Sequence, residues 1–325
     1  MQERVKAKAI ELLEGGVCDR VLGWKAGEFF YDVTPAVFTS REEIEKDFVF
    51  GPFCGANMSK YLIAESRKDG GKVGAFLKPC DTYSFQQLQK EHRIWRENVY
   101  AVGVQCEGMC DIEAIKAAGI KGILGVDGDG ETLTVHTLYG DKSIERKAAL
   151  AERCACCKSK KMLGCDELIG EQGEELESAR FAQVEKLEAM TPDERFAFWR
   201  NELSRCIRCN ACRNVCPACS CEKCVFDNPN SGVENKAAAN SFEENLFHII
   251  RAFHVAGRCT DCGECSRVCP QHIPLHLLNR KFIKDINELY GDYQAGADME
   301  TRPPLMNFQT GDPEPSVVHE RGSEQ

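Results

Sequence analysis

Long apolar runs are the first thing this sequence lacks. No stretch of about 18 or more apolar residues interrupts its 325 residues, so a membrane-crossing helix is not expected. The opening segment "MQERVKAKAIELLEGGVC" mixes acids and bases and has no apolar h-region, which argues against a secretory signal. Net positive charge is missing as well. With 41 Lys and Arg against 51 Asp and Glu, the formal charge is −10. A surface of that sign does not displace counterions from phosphates, which excludes nucleic acid as a partner. No Gly-x-Gly-x-x-Gly fingerprint occurs either, so no nucleotide site of that kind is expected. The expectation is a cytoplasmic protein that docks onto protein partners.

What abounds is cysteine, 20 in the whole chain. In a small secreted protein this would mean a disulfide framework, but in a large chain without a signal it means metal or redox chemistry. The cysteines are also clustered, which a disulfide scaffold does not require.

The length suits two domains. Residues 1–165 alternate strand and helix patterns and are expected to form an α/β layered domain. Helices are expected at 4–14, 40–47, 56–68 and 82–93, and strands at 17–24, 28–33, 72–78 and 99–106. A hairpin or short β segment is expected at 125–143. Ser40 with Glu43 supplies a capping box for the second helix. Residues 166–204 read as a helical connector, with Thr191, Pro192 and Glu194 as a start signal. Within it, Glu171, Glu174, Glu175 and Glu177 read as a solvated helix face. Residues 205–290 are expected to be a two-cluster bacterial ferredoxin-like (α+β) domain, with a polar loop at 227–240 and helices near 242–256 and 275–290. Residues 291–325 read as an extended C-terminal tail.

Two stretches carry the chemistry. "CIRCNACRNVCP" at 206–217 and "CTDCGECSRVCP" at 259–270 are both Cys-x2-Cys-x2-Cys-x3-Cys-Pro. In two-cluster bacterial ferredoxins the fourth cysteine of each run ligates the other cluster. By that rule Cys206, Cys209, Cys212 and Cys269 hold one [4Fe–4S] cluster, and Cys259, Cys262, Cys265 and Cys216 hold the second. Structural zinc is the alternative, although zinc sites favour paired Cys-x2–4-Cys units.

Further thiols stand outside these runs. Cys219, Cys221 and Cys224 follow the first one and can grip another cluster or a zinc if a fourth ligand is found; spare or buried thiols are the other reading. Cys154, Cys156, Cys157 and Cys165 form another group. Three of them with Cys80 or Cys106 can complete a third [4Fe–4S] site, or a zinc site. Lys158, Lys160 and Lys161 alongside would offset thiolate charge. Cys18 reads as core. His248 and His254 read as surface or packed residues, and nothing requires His272 or His276 to carry a proton.

The segment "AFLKPCDTYSFQQLQKEHRIWRENVYAVGVQCEGMCD" at 75–111 resembles the beta subunits of coenzyme F-420 hydrogenases and formate dehydrogenases. Its Lys78, Pro79, Cys80 and Asp81 match a turn of that family, followed by a helix and a strand ending at Cys106. The segment at 11–28 looks like the family's N-terminal strand region, and "CIRCNACRNVCPACSCEKC" is similar to its ferredoxin-like module. The resemblance implies an electron-transfer subunit beside a catalytic formate dehydrogenase, hydrogenase or heterodisulfide-reductase-like partner and other electron-transfer subunits. It also implies FAD, although the family's Gly-Gly stretch before the first helix is not found here. The expected function is a relay of single electrons through at least two [4Fe–4S] clusters. A FAD-containing subunit that itself oxidises or reduces F-420 or NAD(P)H is the alternative, and a zinc-stabilised scaffold is a third reading.

Overall fold

A computed structural model describes residues 1–128, 130–227 and 241–306, with side chains from 246 onward in the last segment. Among the described residues nine strands are found: β1 (Arg20–Ala26), β2 (Val33–Phe38), β3 (Phe48–Val49), β4 (Val73–Leu77), β5 (Val99–Val104), β6 (Ile123–Asp127), β7 (Thr132–Thr137), β8 (Lys142–Glu145) and β9 (Glu167–Ile169). The main sheet runs β2-β1-β4-β5-β9, and β3 also pairs with β1. β1, β4, β5 and β9 are mutually parallel, while β2 and β3 run antiparallel to β1. Every residue of β4 is buried, as expected of a parallel strand covered on both faces. Trp24, Phe48, Phe76 and Phe85 fill the core on which the sheet rests.

The α/β pattern of the N-terminal half is seen, with local differences. Residues 28–33 form turns, closed by Asp32 N donating to Phe29 O at 2.9 Å, and the strand begins at Val33. Phe29, Phe30 and Tyr31 pack on one another and on Phe53, so the aromatic run is a ring cluster rather than an alternating strand. Residues 79–81 open the helix Pro79–Lys90 instead of preceding it. Proline suits a first turn because the N–H it lacks has no intrahelical partner there. In place of one hairpin, β6, β7 and β8 build a three-stranded antiparallel sheet.

The glutamate run is not helical. Lys160 N donates to Glu174 O and Leu176 N to Lys158 O, both at 2.8 Å, so this stretch is strapped along the cysteine-bearing loop. Helix begins only at Ala182–Glu188, followed by Pro192–Ser204. Thr191 and Glu194 cap the latter reciprocally, as the sequence implied.

Among the described residues no strand follows β9. The unit holding the two cysteine runs is therefore helical there, not the α+β mixture expected. Its long helices, Ser241–Val255 and Leu275–Tyr290, close over Leu203, Phe226, Phe247 and Ile273. Residues 228–240 of the expected loop at 227–240 and residues 307–325 of the expected tail at 291–325 lie outside the described residues. No described helix is long and apolar enough to cross a membrane.

The helical unit packs directly on the α/β unit. Ser84 and Thr260 share a hydroxyl hydrogen bond of 2.7 Å, Lys158 donates to Thr260 O at 2.7 Å, and Arg258 donates to Glu91 at 2.7 Å.

Candidate metal centres

The two cysteine runs repeat their backbone as well as their spelling. Arg208 and Asp261, each one residue before the second cysteine, have φ of 55° and 60°. Asn210 and Gly263, each one residue after it, have φ of 60° and 69°. Left-handed residues at matching positions turn successive N–H groups toward the concave side of the loop, a shape that receives anions. Arg208 N, for example, points at Cys206 Sγ across 3.4 Å. Glycine is doubly required at 263, because a Cβ there would meet Arg153 at 2.7 Å. Each loop then enters a one-turn helix, Ala211–Asn214 or Glu264–Arg267.

The thiols sort as interleaved fours. Burial raises the Cys206 thiol, and Cys269 and Cys209 add to that; burial likewise raises Cys212, with Cys206, Cys269 and Cys209 as its thiol neighbours. In the second run, burial and then nearby Asp261 and Cys216 raise Cys259. Burial, Glu264, Cys216 and Cys259 raise Cys262. Burial pushes Cys265 up to about 12, with Cys216 again beside it. Cys216 thus stands among the second run's thiols, and Cys269 among those of the first. Buried thiols of this kind stay protonated on their own, and iron is the positive charge that would hold them as thiolates.

A third group meets at the junction of the two units. Cys80, at the start of the helix Pro79–Lys90, and Cys106, just past β5, line one cavity with Cys154 and Cys157. Cys262 lines the same cavity. Lys78, Arg153, Lys158, Lys160 and Arg280 contribute five cations to its wall against the single carboxylate of Asp261, a lining suited to an anionic cluster. Cys106 Sγ lies 3.4 Å from Gly108 N, and Cys154 Sγ lies 3.3 Å from Met109 N. Cys156 also borders the cavity, but its thiol donates to Glu152 O at 3.0 Å. Cys165 lies outside it, against Gly103 and the carbonyl of Leu163. The cavity therefore gathers both Cys80 and Cys106, where one had been expected to suffice.

Cys219, Cys221 and Cys224 are not brought together. Cys219 adjoins Cys216 and, as hydrogen-bond donor, holds that thiol below its usual range. Cys221 is exposed, and Cys224 faces Arg213. Cys18 and Cys54 are core residues, 2% and 1% exposed. Among the described residues no three His, Cys, Asp or Glu side chains converge tightly enough to hold a single metal ion.

Residues 202–273 match the family model described as a 4Fe-4S dicluster domain. Among curated proteins, the F420-dependent formate dehydrogenase subunit beta of Methanocaldococcus jannaschii is 25% identical over 92% of each chain. The F420-dependent formate dehydrogenase 1 subunit beta of Methanococcus maripaludis is 27% identical over 90% of each. This chain is a homologue of formate dehydrogenase beta subunits. It is an iron–sulfur electron-transfer subunit of an oxidoreductase complex, as the sequence implied. A solved structure, the xenon-derivatized F420-reducing [NiFe] hydrogenase complex from Methanosarcina barkeri, aligns with a TM-score of 0.41 at 15% identity. That alignment spans 58% of this chain and 76% of the other and is too loose to fix the fold.

Three residues of this beta-subunit homologue stand beside the thiols: Arg153 and Arg251, which sequence reasoning did not mark, and His248, which it read as surface or packed and which is 1% exposed. Arg153 donates to Cys262 O at 2.9 Å and to Glu264 at 2.6 Å. Burial works against ionisation of Glu264, but Arg153 and Arg267 outweigh it and hold the carboxyl at about 2. His248 Nε2 lies 3.2 Å from Cys206 Sγ, and burial drives its pKa down to about 3. Arg251 donates to Cys212 O at 3.0 Å. Arg153 Nε, His248 Nδ1 and Arg251 Nε are buried without any hydrogen-bond partner. Buried polar atoms are rarely orphaned, and anionic sulfur at these centres would supply what they lack. A charged residue on the apolar face of "LFHIIRAFHV" was the one signal for Arg251.

Proposed function

We propose that the chain holds three [4Fe–4S] clusters in series and relays electrons between its α/β unit and the surface beside Cys209. Cys80, Cys106, Cys154 and Cys157 would hold the first centre. Cys216, Cys259, Cys262 and Cys265 would hold the middle one, and Cys206, Cys209, Cys212 and Cys269 the last. Each such cluster, when bound, accepts and releases one electron at a potential set by charge, hydrogen bonds to sulfur and exposure. The protein's own part is to space the thiols, exclude water and supply positive charge.

The observation that carries this reading is Cys262, a thiol of the middle set on the wall of the cavity formed by the first set. The interleaving of Cys216 and Cys269 joins the middle set to the last, and exposed Cys209 gives that last set an outlet. The homologues named as formate dehydrogenase beta subunits favour a catalytic formate-oxidising subunit as the partner. Cys106→Ser is expected to remove about a third of the bound iron, while Cys165→Ser leaves it unchanged. Equal losses from both variants would contradict the third site.

A second reading, with FAD beside the first centre, is favoured by one cavity. It measures about 540 Å³ and is lined by Gln105, Glu107, Met109, Val126 and Arg146, sharing Cys106 with the cysteine cavity. It lies past the carboxyl end of β5, where α/β sheets commonly bind ligands, and its size suits a cofactor. FAD, when bound, would exchange electron pairs with a hydride carrier, and Arg146, paired with Glu107 at 3.2 Å, is the cation of the wall that a phosphate would meet. Stoichiometric FAD in an acid extract of the anaerobically purified protein would support this reading; a flavin-free extract from iron-replete protein would dismiss it.

A further inference from the structure

The inward face of the helix Ser241–Val255 carries Phe247, His248, Arg251, Ala252 and Val255, all buried. Arg251 is only 3% exposed. Its one hydrogen bond runs to the carbonyl of Cys212, and its Nε finds no partner. Among the described residues no carboxylate pairs with it. A buried guanidinium without a counter-charge is costly. Its closest electrostatic neighbours are the thiols of Cys216, Cys265, Cys212 and Cys219.

Under the ligation proposed above, on which this inference rests, Cys212 belongs to the last cluster, and Cys216 and Cys265 to the middle one. Arg251 therefore stands between two anionic cubes. Arg153 occupies the preceding interval, between Cys80, Cys154 and Cys262, but its charge is countered by Glu264 at 2.6 Å. In the interval between the two ferredoxin-type centres, no carboxylate among the described residues offsets Arg251 in the way that Glu264 offsets Arg153.

A cube ligated by four thiolates gains one negative charge when reduced. A fixed cation beside it stabilises the reduced form more than the oxidised form, and low surrounding dielectric enlarges the effect. A cation placed between two cubes acts on both, so the reduced form of each is favoured. We propose that Arg251 is an electrostatic bridge that raises the potentials of both ferredoxin-type clusters and allows each to hold an electron at the same time. The module then stores an electron pair, delivered one electron at a time by a low-potential reductant.

The test is a potentiometric titration of full-length protein with dithionite, monitored by low-temperature EPR, comparing wild type with Arg251→Gln and Arg251→Lys. In Arg251→Gln both ferredoxin-type midpoints should fall together. The shift is expected to be about tenfold or more in the reduced-to-oxidised ratio at fixed potential, or about 59 mV for a one-electron couple. The midpoint of the Cys80–Cys106 centre should move least, and Arg251→Lys should stay close to wild type. Loss of iron from Arg251→Gln but not from Arg251→Lys would equally support the bridge, because the charge alone differs in kind. Unmoved midpoints in iron-replete Arg251→Gln would overturn it, as would iron loss from both variants, which would mark a packing role. Wild-type protein without iron and sulfide would instead refute the three-cluster reading, before any variant is compared.

Discussion

Lys78 is 1% exposed and Asp81 is fully buried, yet neither is isolated. Lys78 Nζ donates to Asp81 at 2.9 Å and to Ala56 O at 2.8 Å, and it lies 4.6 Å from the centre of the Trp24 ring. The Lys-Pro-Cys-Asp turn is thus a charge-neutral helix start that places a thiol at its second position. Lys78→Met would strand the Asp81 carboxylate, at a cost of about 3–5 kcal/mol, readable as a lower urea midpoint. His136 supplies a pH test. The hydrogen bond that it donates to Asp141, then that to Asp127, raises its pKa above 6.5. The folded state therefore binds the proton more tightly than the unfolded one, and stability follows the bound proton. This contribution is complete below about pH 6.5 and fades as pH rises through the raised value; His136→Gln should flatten that part of a Tm–pH profile. At this scale the two cysteine runs of the 4Fe-4S dicluster domain were legible from spacing alone. Arg153 and Arg251 were not, because the groups they touch, Cys262 and Cys212, lie 109 and 39 residues away along the chain.

Local signals fared unevenly among the elements. The Thr191–Glu194 capping box is present, with Thr191 Oγ1 donating to Glu194 at 2.8 Å, and Thr191→Ala should cost about 1 kcal/mol in thermal unfolding. The glutamates at 171–177 carried a helix-like charge pattern, but the loop at 158–160 offered their backbone other partners, and that pairing decided the conformation. The aromatic run at 29–31 resembled a strand by composition, yet ring-on-ring packing turned it. The cysteine grammar specified two loops and two one-turn helices closely. It said nothing about the scaffold around them, because a cube dictates where four sulfurs stand and leaves the rest of the chain free. The helical character of the described 205–290 residues was therefore not readable from the motif.

Across the whole molecule, the contact between the α/β and helical units decides the function. Arg153 reaches Gly55 O on one side and Cys262 O on the other, at 2.8 and 2.9 Å, and so fixes the first thiol set against the second. Kinship with formate dehydrogenase beta subunits was visible in the 75–111 segment, whereas the proposal of three centres in series rests on the fold. The most direct test is the ratio of iron and acid-labile sulfide to chain in anaerobically purified protein. Three cubes correspond to about 12 of each per chain. A value near 8 would remove the Cys80–Cys106 centre, and zinc without sulfide would contradict the relay altogether.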